Sequence, residues 1–315
     1  MVNNVFPNTI DPYHCKLMVH SFDKIIQHNH KKSFEEICIE RADFFRKKDC
    51  KLFLKYSGGT DSSLILLTML RHWNKEDLNK VHLLMTSKSI EEFPEMLPEI
   101  KEKFKGRVHD AFSKYTQYYK EGVIITGECG DQLFGSSILK NIIRHFGELG
   151  MSYDWKLIMP KVYSHILKFD EKQTHKFIET YEPTIEKCPF LIKTAFDWSW
   201  WFNYTNKVQH VVYRDLIFEM EKPQEYSEKH LAFYYSLDFL RWSLDNHDKK
   251  IKNTFLTYKW PAKQLIQKYS GFTEHWYRPK VGSRIALWKN RNDLMYAMND
   301  QYEYISQQEA LKFVR

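Results

Sequence analysis

The sequence predicts an α/β fold, a parallel sheet followed by a largely helical part, and three observations carry that reading. Short apolar runs, some of them β-branched, alternate with helix-patterned stretches as far as Gly135. Two of those runs end in turns that hold both glycine and acidic residues. Beyond Gly135 the strand signals fade, and long stretches rich in Trp, Tyr, Phe and Lys keep a helical spacing. Strands alternating with helices build a parallel sheet with right-handed crossovers.

The elements follow in order. Residues 1–32 are irregular by pattern, apart from a short helix predicted over His20 to Gln27. Ser33-Phe34-Glu35-Glu36 reads as a helix start with an acidic first turn, and that helix runs to about Arg46. A strand from Leu52 to Tyr56 comes next, then a loop and a helix to about Trp73, then a strand from Val81 to Met85. Pro94 and Pro98 interrupt the stretch from Ser89 to Phe104, where one short helix is expected. Val108 to Phe112 and Val123 to Ile125 read as further strands, the latter suited to a buried parallel position. In the second half, Asp197-Trp198-Ser199-Trp200-Trp201-Phe202 and Phe233-Tyr234-Tyr235 supply aromatic mass, read here as helix–helix core rather than a stacking platform.

Composition sets outer bounds. A chain of 315 residues exceeds the usual single core, so one large domain or two lobes are expected. An apolar fraction of 43% with many aromatics excludes gross disorder. The net charge of +7, from 47 basic and 40 acidic residues, is mild. It suits anionic ligands, and the basic residues are scattered rather than gathered in one arm. The five cysteines (Cys15, Cys38, Cys50, Cys129, Cys188) show no C-x-x-C or other zinc spacing, so free thiols in a reducing cytosol are expected. No apolar run approaches the ~20 residues that span a bilayer, and the first residues lack a signal-peptide pattern. The expectation is a cytoplasmic protein with no membrane partner.

The chemistry concentrates where the first strand ends. Ser57-Gly58-Gly59-Thr60-Asp61-Ser62-Ser63 is a glycine-rich turn that opens the apolar helix beginning at Leu64. Such a turn leaves backbone N–H groups at the positive end of a helix dipole, a site suited to phosphates. Gly58 and Gly59 let an oxygen approach the backbone, and the hydroxyls of Ser57, Thr60, Ser62 and Ser63 are candidate donors. Asp61 would repel a phosphate: two like charges ~4 Å apart cost about 1 kcal/mol in water and about 4 at an effective dielectric of 20. A divalent cation between them removes the conflict, and a hard carboxylate oxygen suits Mg²⁺. The bland alternative for Asp61 is a helix-start residue on the surface.

The strand at Val123 ends in a comparable turn, Thr126-Gly127-Glu128-Cys129-Gly130-Asp131-Gln132-Leu133-Phe134-Gly135. In open α/β sheets, ligands gather outside the carboxyl ends of the strands. Two such ends would let Asp61 and Asp131 reach a single metal–triphosphate. Helix capping is the alternative role for Glu128 and for Asp131, and a small apolar filler is the expected role of Cys129.

The first turn resembles the PP-loop of the ATP pyrophosphatase superfamily, which cleaves ATP between its α and β phosphates; it lacks the closing Lys of a P-loop. The second turn narrows the resemblance, being similar to the T-G-E-G-x-D-E-L-F-G-G stretch of the asparagine synthetase family. Gln132 stands where that pattern has Glu, and Ser136 where it has a second Gly. A parallel-sheet PP-loop fold of the adenine-nucleotide alpha-hydrolase type is what the resemblance implies. Residues 1–137 would then be the nucleotide-binding α/β part with an N-terminal extension, and residues 138–315 a helical lobe. Asp61 and Asp131 would hold Mg²⁺. Ser57 to Ser63, Met85, Thr126 and Gly127 would border ATP, and Glu128 would serve the half-reaction in which an amine loses its proton.

Near the far end, Tyr258-Lys259-Trp260-Pro261-Ala262-Lys263 and Tyr277-Arg278-Pro279-Lys280-Val281-Gly282 are similar in order and gap to the K-x-x-L-R and R-x-K-x-G elements of that family. By resemblance Lys280 would offset charge on the α-phosphate, with Arg278 and Lys259 as lesser candidates. Read alone, Lys259 and Lys263 are surface lysines at a helix start. The family's E-x-R-x-P-F-L-D segment is not intact, and Phe233 to Asp238 is its nearest counterpart. Val2 stands where glutamine-dependent relatives carry a catalytic Cys, and the expectation is a chain that does not make its own ammonia from glutamine.

The function implied is an AMP- and pyrophosphate-forming amide ligase that takes a small carboxylate and an amine. A separate ammonia-supplying or acceptor protein is a candidate partner. Two alternatives stay open: an enzyme of the same superfamily that modifies a tRNA or other nucleic-acid base, and a non-catalytic ATP-binding partner subunit.

Overall fold

The computed structural model describes residues 31–111, 116–135, 138–166, 169–208, 211, 227–252, 254–274, 296–298 and 304–306. The predicted helix at His20 to Gln27 lies outside them. The chain folds as an α/β protein around one five-stranded, wholly parallel sheet, with a large helical part. The strands are β1 (Lys51–Lys55), β2 (Val81–Met85), β3 (Val108–Asp110), β4 (Gly122–Thr126) and β5 (His230–Ala232), in the order β3-β2-β1-β4-β5. β1 is therefore central, with Leu54 beside Leu83 on one flank and beside Ile125 on the other. Its side chains alternate as the pleat requires. Leu52 and Leu54 enter the main core, while Phe53 turns to a second cluster with Leu84, Ile124, Tyr118 and Tyr119. Both faces of the central strands are covered, which is why β1 between its terminal lysines, and β4, are apolar.

Local chemistry sets the helix starts. The helix α1 (Phe34–Arg46) opens on a capping box: Glu36 N–H donates to Ser33 Oγ at 3.2 Å, and Ser33 N–H donates to Glu36 Oε2 at 2.7 Å. The helix α2 (Thr60–His72) follows β1, and the short α3 (Lys75–Asn79) precedes β2. Between β2 and β3 the expectation of one short helix needs correction. Two form, α4 (Ser87–Glu92) and α5 (Leu97–Lys103), joined by a 3₁₀ turn at Pro94–Met96. Pro94 and Pro98 sit in the first positions of their helices, where a missing N–H costs nothing, so they start elements rather than break one. β3 ends at Asp110, short of the predicted Phe112, which lies outside the described residues. The helix α6 (Thr116–Glu121) leads into β4, and α7 (Gly130–Phe134) follows it.

The later chain is mostly helical: α8 (Leu139–Phe146), α9 (Trp155–Lys161), α10 (Glu171–Ile185), α11 (Ala195–Phe202), α12 (Leu237–Asp245) and α13 (Trp260–Ser270). Its aromatics are core, as expected. Trp198, Trp200 and Trp201 are buried, and the Trp198 and Phe202 rings stack with centroids 5.3 Å apart. Trp200 donates its indole N–H to the Leu133 carbonyl at 3.2 Å, tying α11 to the end of α7. One strand signal in this half escaped the sequence reading. β5 pairs parallel to β4, with Ile125 beside Leu231, so the sheet draws on residues past 138. Arg41 on α1 clamps that edge, donating to the Phe233 and Ala232 carbonyls at 2.9 and 3.0 Å. An antiparallel pair, β6 (Tyr296–Met298) with β7 (Tyr304–Ser306), lies near the end of the chain. No described helix is long and apolar enough to cross a membrane. Cys38, Cys50, Cys129 and Cys188 are free thiols.

Candidate nucleotide and metal site

The strand order reverses at β1. The chain moves outward through β2 and β3, then returns to lay β4 on β1's other side, so the connections leaving β1 and β4 part at the sheet's carboxyl edge. Both glycine-bearing turns lie there.

The first turn is held by its own side chains. Ser57 N–H donates to Ser62 Oγ at 3.1 Å, Ser62 Oγ–H donates to the Gly59 carbonyl at 3.2 Å, and Ser63 Oγ–H donates to the Gly58 carbonyl at 3.0 Å. Ser62 and Ser63 are buried, and their hydroxyls hold the loop's shape. Gly58 has a φ of 78°, and a Cβ there would stand 2.0 Å from the Ser89 carbonyl oxygen. Only glycine meets both demands. The first i→i−4 bond of α2 runs from Ser63 N–H to the Gly59 carbonyl at 2.9 Å, which leaves the amides of Thr60, Asp61 and Ser62 ahead of it. Those amides stand at the positive end of the α2 dipole.

The second turn packs onto the first. Gly127 borders Asp61 and the Ser62 amide, and a Cβ on Gly130 would stand 2.5 Å from the Asp61 carboxyl carbon. Cys129 takes the left-handed conformation (φ 69°) as the N-cap of α7, which corrects the capping alternative for Glu128. Its Sγ is buried and donates to the Val208 carbonyl at 3.3 Å, in keeping with a filler. Thr126 is buried at the end of β4, and Glu128, half-buried, donates its N–H to Thr126 Oγ1 at 3.4 Å. Met85 ends β2 within the main core cluster.

The two acids converge, and a lysine joins them. Lys259 Nζ lies 2.5 Å from Asp61 Oδ2 and 2.7 Å from Asp131 Oδ1. Two carboxylate oxygens from separate turns thus meet on one cationic nitrogen. The surface reading of Lys259 is thereby corrected: the residue is buried, at the left-handed N-cap (φ 63°) of α13, which packs along α2. Burial opposes its charge, but Asp131 and Asp61 outweigh that and hold its pKa above the ordinary value. Lys263, by contrast, donates to the Leu256 carbonyl at 2.6 Å and remains an ordinary helix-start lysine.

Two tyrosines steady the pair. Tyr258 donates its hydroxyl to Asp131 Oδ1 at 3.3 Å, and Tyr234 donates to the Asp61 backbone carbonyl at 2.9 Å. Glu92, the last residue of α4, is a buried acid that the sequence reading passed over. Its Oε1 would meet a Cβ on Gly59 at 3.0 Å. No local pattern marks it; only the fold sets α4 against the loop. Lys280 and Arg278 lie outside the described residues.

The donor set fits Mg²⁺, which takes one or two carboxylates and fills its shell with water and phosphate. Among the described residues, no group of three or more His, Cys, Asp or Glu could hold a metal ion. A cleft of about 660 Å³ between the starts of α1 and α13 is lined by Lys32, Trp242, Lys252 and Trp260, and includes none of Asp61, Asp131 or Lys259. No protein-family model, curated protein or solved structure matches this chain.

Proposed function

We propose that this chain is an ATP-dependent ligase of the asparagine synthetase type, which adenylates a carboxylate, releases pyrophosphate and transfers the acyl group to ammonia or another amine. One observation carries the reading: Asp61 and Asp131, from the turns after β1 and β4, meet at a single cation position beside the first-turn amides of α2. Asp61 and Asp131 would hold Mg²⁺, which when bound neutralises phosphate charge at the bond that breaks. The amides of Thr60, Asp61 and Ser62 bind phosphate oxygens at the positive end of α2, a helix of 13 residues. Tyr234 fixes the Asp61 main chain, and Tyr258 orients the Asp131 carboxylate. Thr126 and Gly127 border the nucleotide, and Met85 closes the end of β2. Glu128, on the same turn as Asp131, takes the proton that the attacking amine must lose. Lys280, by resemblance, offsets charge on the α-phosphate. The partners are a small carboxylate and an amine, the latter free or supplied by a separate protein.

The experiment is ATP–pyrophosphate exchange across a panel of carboxylic acids. At least one acid is expected to support exchange, and Asp61→Asn and Asp131→Asn should each lower it by about 100-fold or more. Formation of ADP and phosphate instead would refute the proposal.

A further inference from the structure

We infer that Lys259 gates the metal site, its ammonium standing in for the divalent cation until nucleotide and metal arrive together; the inference rests on the Mg·ATP reading above. The ammonium occupies the position shared by Asp61 Oδ2 and Asp131 Oδ1, at 2.5 and 2.7 Å. A magnesium ion bonds its oxygens at roughly 2.0–2.1 Å. An ion in contact with those same two oxygens would overlap the lysine nitrogen, so the two cations exclude one another.

The chain holds this lysine in place at some cost. Lys259 is a left-handed non-glycine residue (φ 63°, ψ 36°), a conformation that L side chains avoid without outside support and that gathers at functional positions. The support is visible on both sides. Trp260 N–H donates to the Lys250 carbonyl at 3.1 Å, and Tyr258 N–H donates to the Phe255 carbonyl at 2.9 Å. Neighbours anchored in this way confine the exchange to one residue, with α13 staying seated on α2.

The consequence is coupling. Metal alone meets two carboxylates whose charge a buried ammonium already offsets in part, and it offers that ammonium nothing in return. A metal–nucleotide complex brings phosphates, so the displaced ammonium gains an anionic partner as the carboxylates gain the metal. Mg²⁺ and nucleotide therefore raise each other's affinity.

Calorimetric titration of the full chain tests this, with MgCl₂ alone and with MgCl₂ in the presence of saturating α,β-methylene ATP. Wild type is expected to bind Mg²⁺ on the order of tenfold more tightly, or better, when the nucleotide is present. Lys259→Met is expected to bind Mg²⁺ alone on the order of tenfold more tightly than wild type. Equal Mg²⁺ affinity in wild type with and without nucleotide overturns the gate, and so does a Lys259→Met or Lys259→Gln protein that binds Mg²⁺ alone no more tightly than wild type. If wild type binds neither ligand but Lys259→Met binds Mg²⁺, the gate stands and the nucleotide reading fails. If neither protein binds Mg²⁺ under any condition, the gate falls.

Discussion

Replacing Gly130 by alanine separates this account from its alternatives by the sign of the effect. Gly130 is the first residue of α7, and its φ is not among the left-handed glycines, so its backbone accepts alanine. With no neighbour in the way, Gly→Ala there would be neutral, or stabilising by up to about 1 kcal/mol. The added methyl instead stands 2.5 Å from the Asp61 carboxyl carbon, a short side chain held in place by its ion pair with Lys259. Ordinary carbon contacts are about 3.5–4.0 Å, so either the Asp61 carboxylate turns away from Lys259 or the two turns part by about 1 Å. Overpacking of this kind costs about 1–3 kcal/mol, and a displacement of that size at a reacting centre can cost about 100-fold in rate. Urea denaturation and ATP–pyrophosphate exchange, run together, read both effects. Gly130→Ala with Asp61→Ala should recover stability, because the clash is gone, while staying inactive. A Gly130→Ala protein as stable as wild type with full exchange would show that the turns do not meet as described.

Two further perturbations probe the supports. Tyr234→Phe removes a fully buried hydroxyl from the Asp61 carbonyl and should cost about 1 kcal/mol, with slower exchange; unchanged stability and rate would remove Tyr234 from the site. His247, half-buried between Asp197 Oδ1 at 2.8 Å and Lys250 Nζ at 2.9 Å, is held down to about 4 by desolvation and then by Lys250, against an ordinary value of 6.5. The unfolded chain therefore takes a proton that the folded chain refuses, and stability falls as pH drops from 6.5 towards 4, by at most about 3 kcal/mol. Urea midpoints at pH 7 and pH 4.5 should converge more closely in His247→Gln than in wild type; equal losses in both would contradict this assignment.

How much of this was legible depended on range in sequence. The capping box at Ser33 and Glu36, the strand at Val81 to Met85 and the two glycine-bearing turns are written in adjacent residues, and local rules read them. β5 is not: His230-Leu231-Ala232 is three residues with no β-branched side chain, and pairing with β4 alone makes it a strand. Pro94 and Pro98 misled because the same residue breaks a helix from within and starts one from its first turn. Lys259 was a candidate by resemblance alone, and its local sequence pointed the other way. In sequence it is a lysine before Trp-Pro at a helix start, which describes a solvated residue. Its burial follows from α13 lying along α2 and from a left-handed turn at residue 259 itself, both set by contacts across about 200 residues of chain (|i−j| = 198 for its bond to Asp61). The convergence of Asp61 and Asp131 could be anticipated because strand ends gather ligands. The cation between them could not.

The most direct measurement is a crystal structure of the full chain grown with Mg²⁺ and α,β-methylene ATP. The account predicts the triphosphate on the first-turn amides of α2 and one metal ion touching both Asp61 and Asp131, with Lys259 withdrawn from at least one of them. Nucleotide bound in the cleft between α1 and α13, with Lys259 still bridging the two carboxylates, would contradict it.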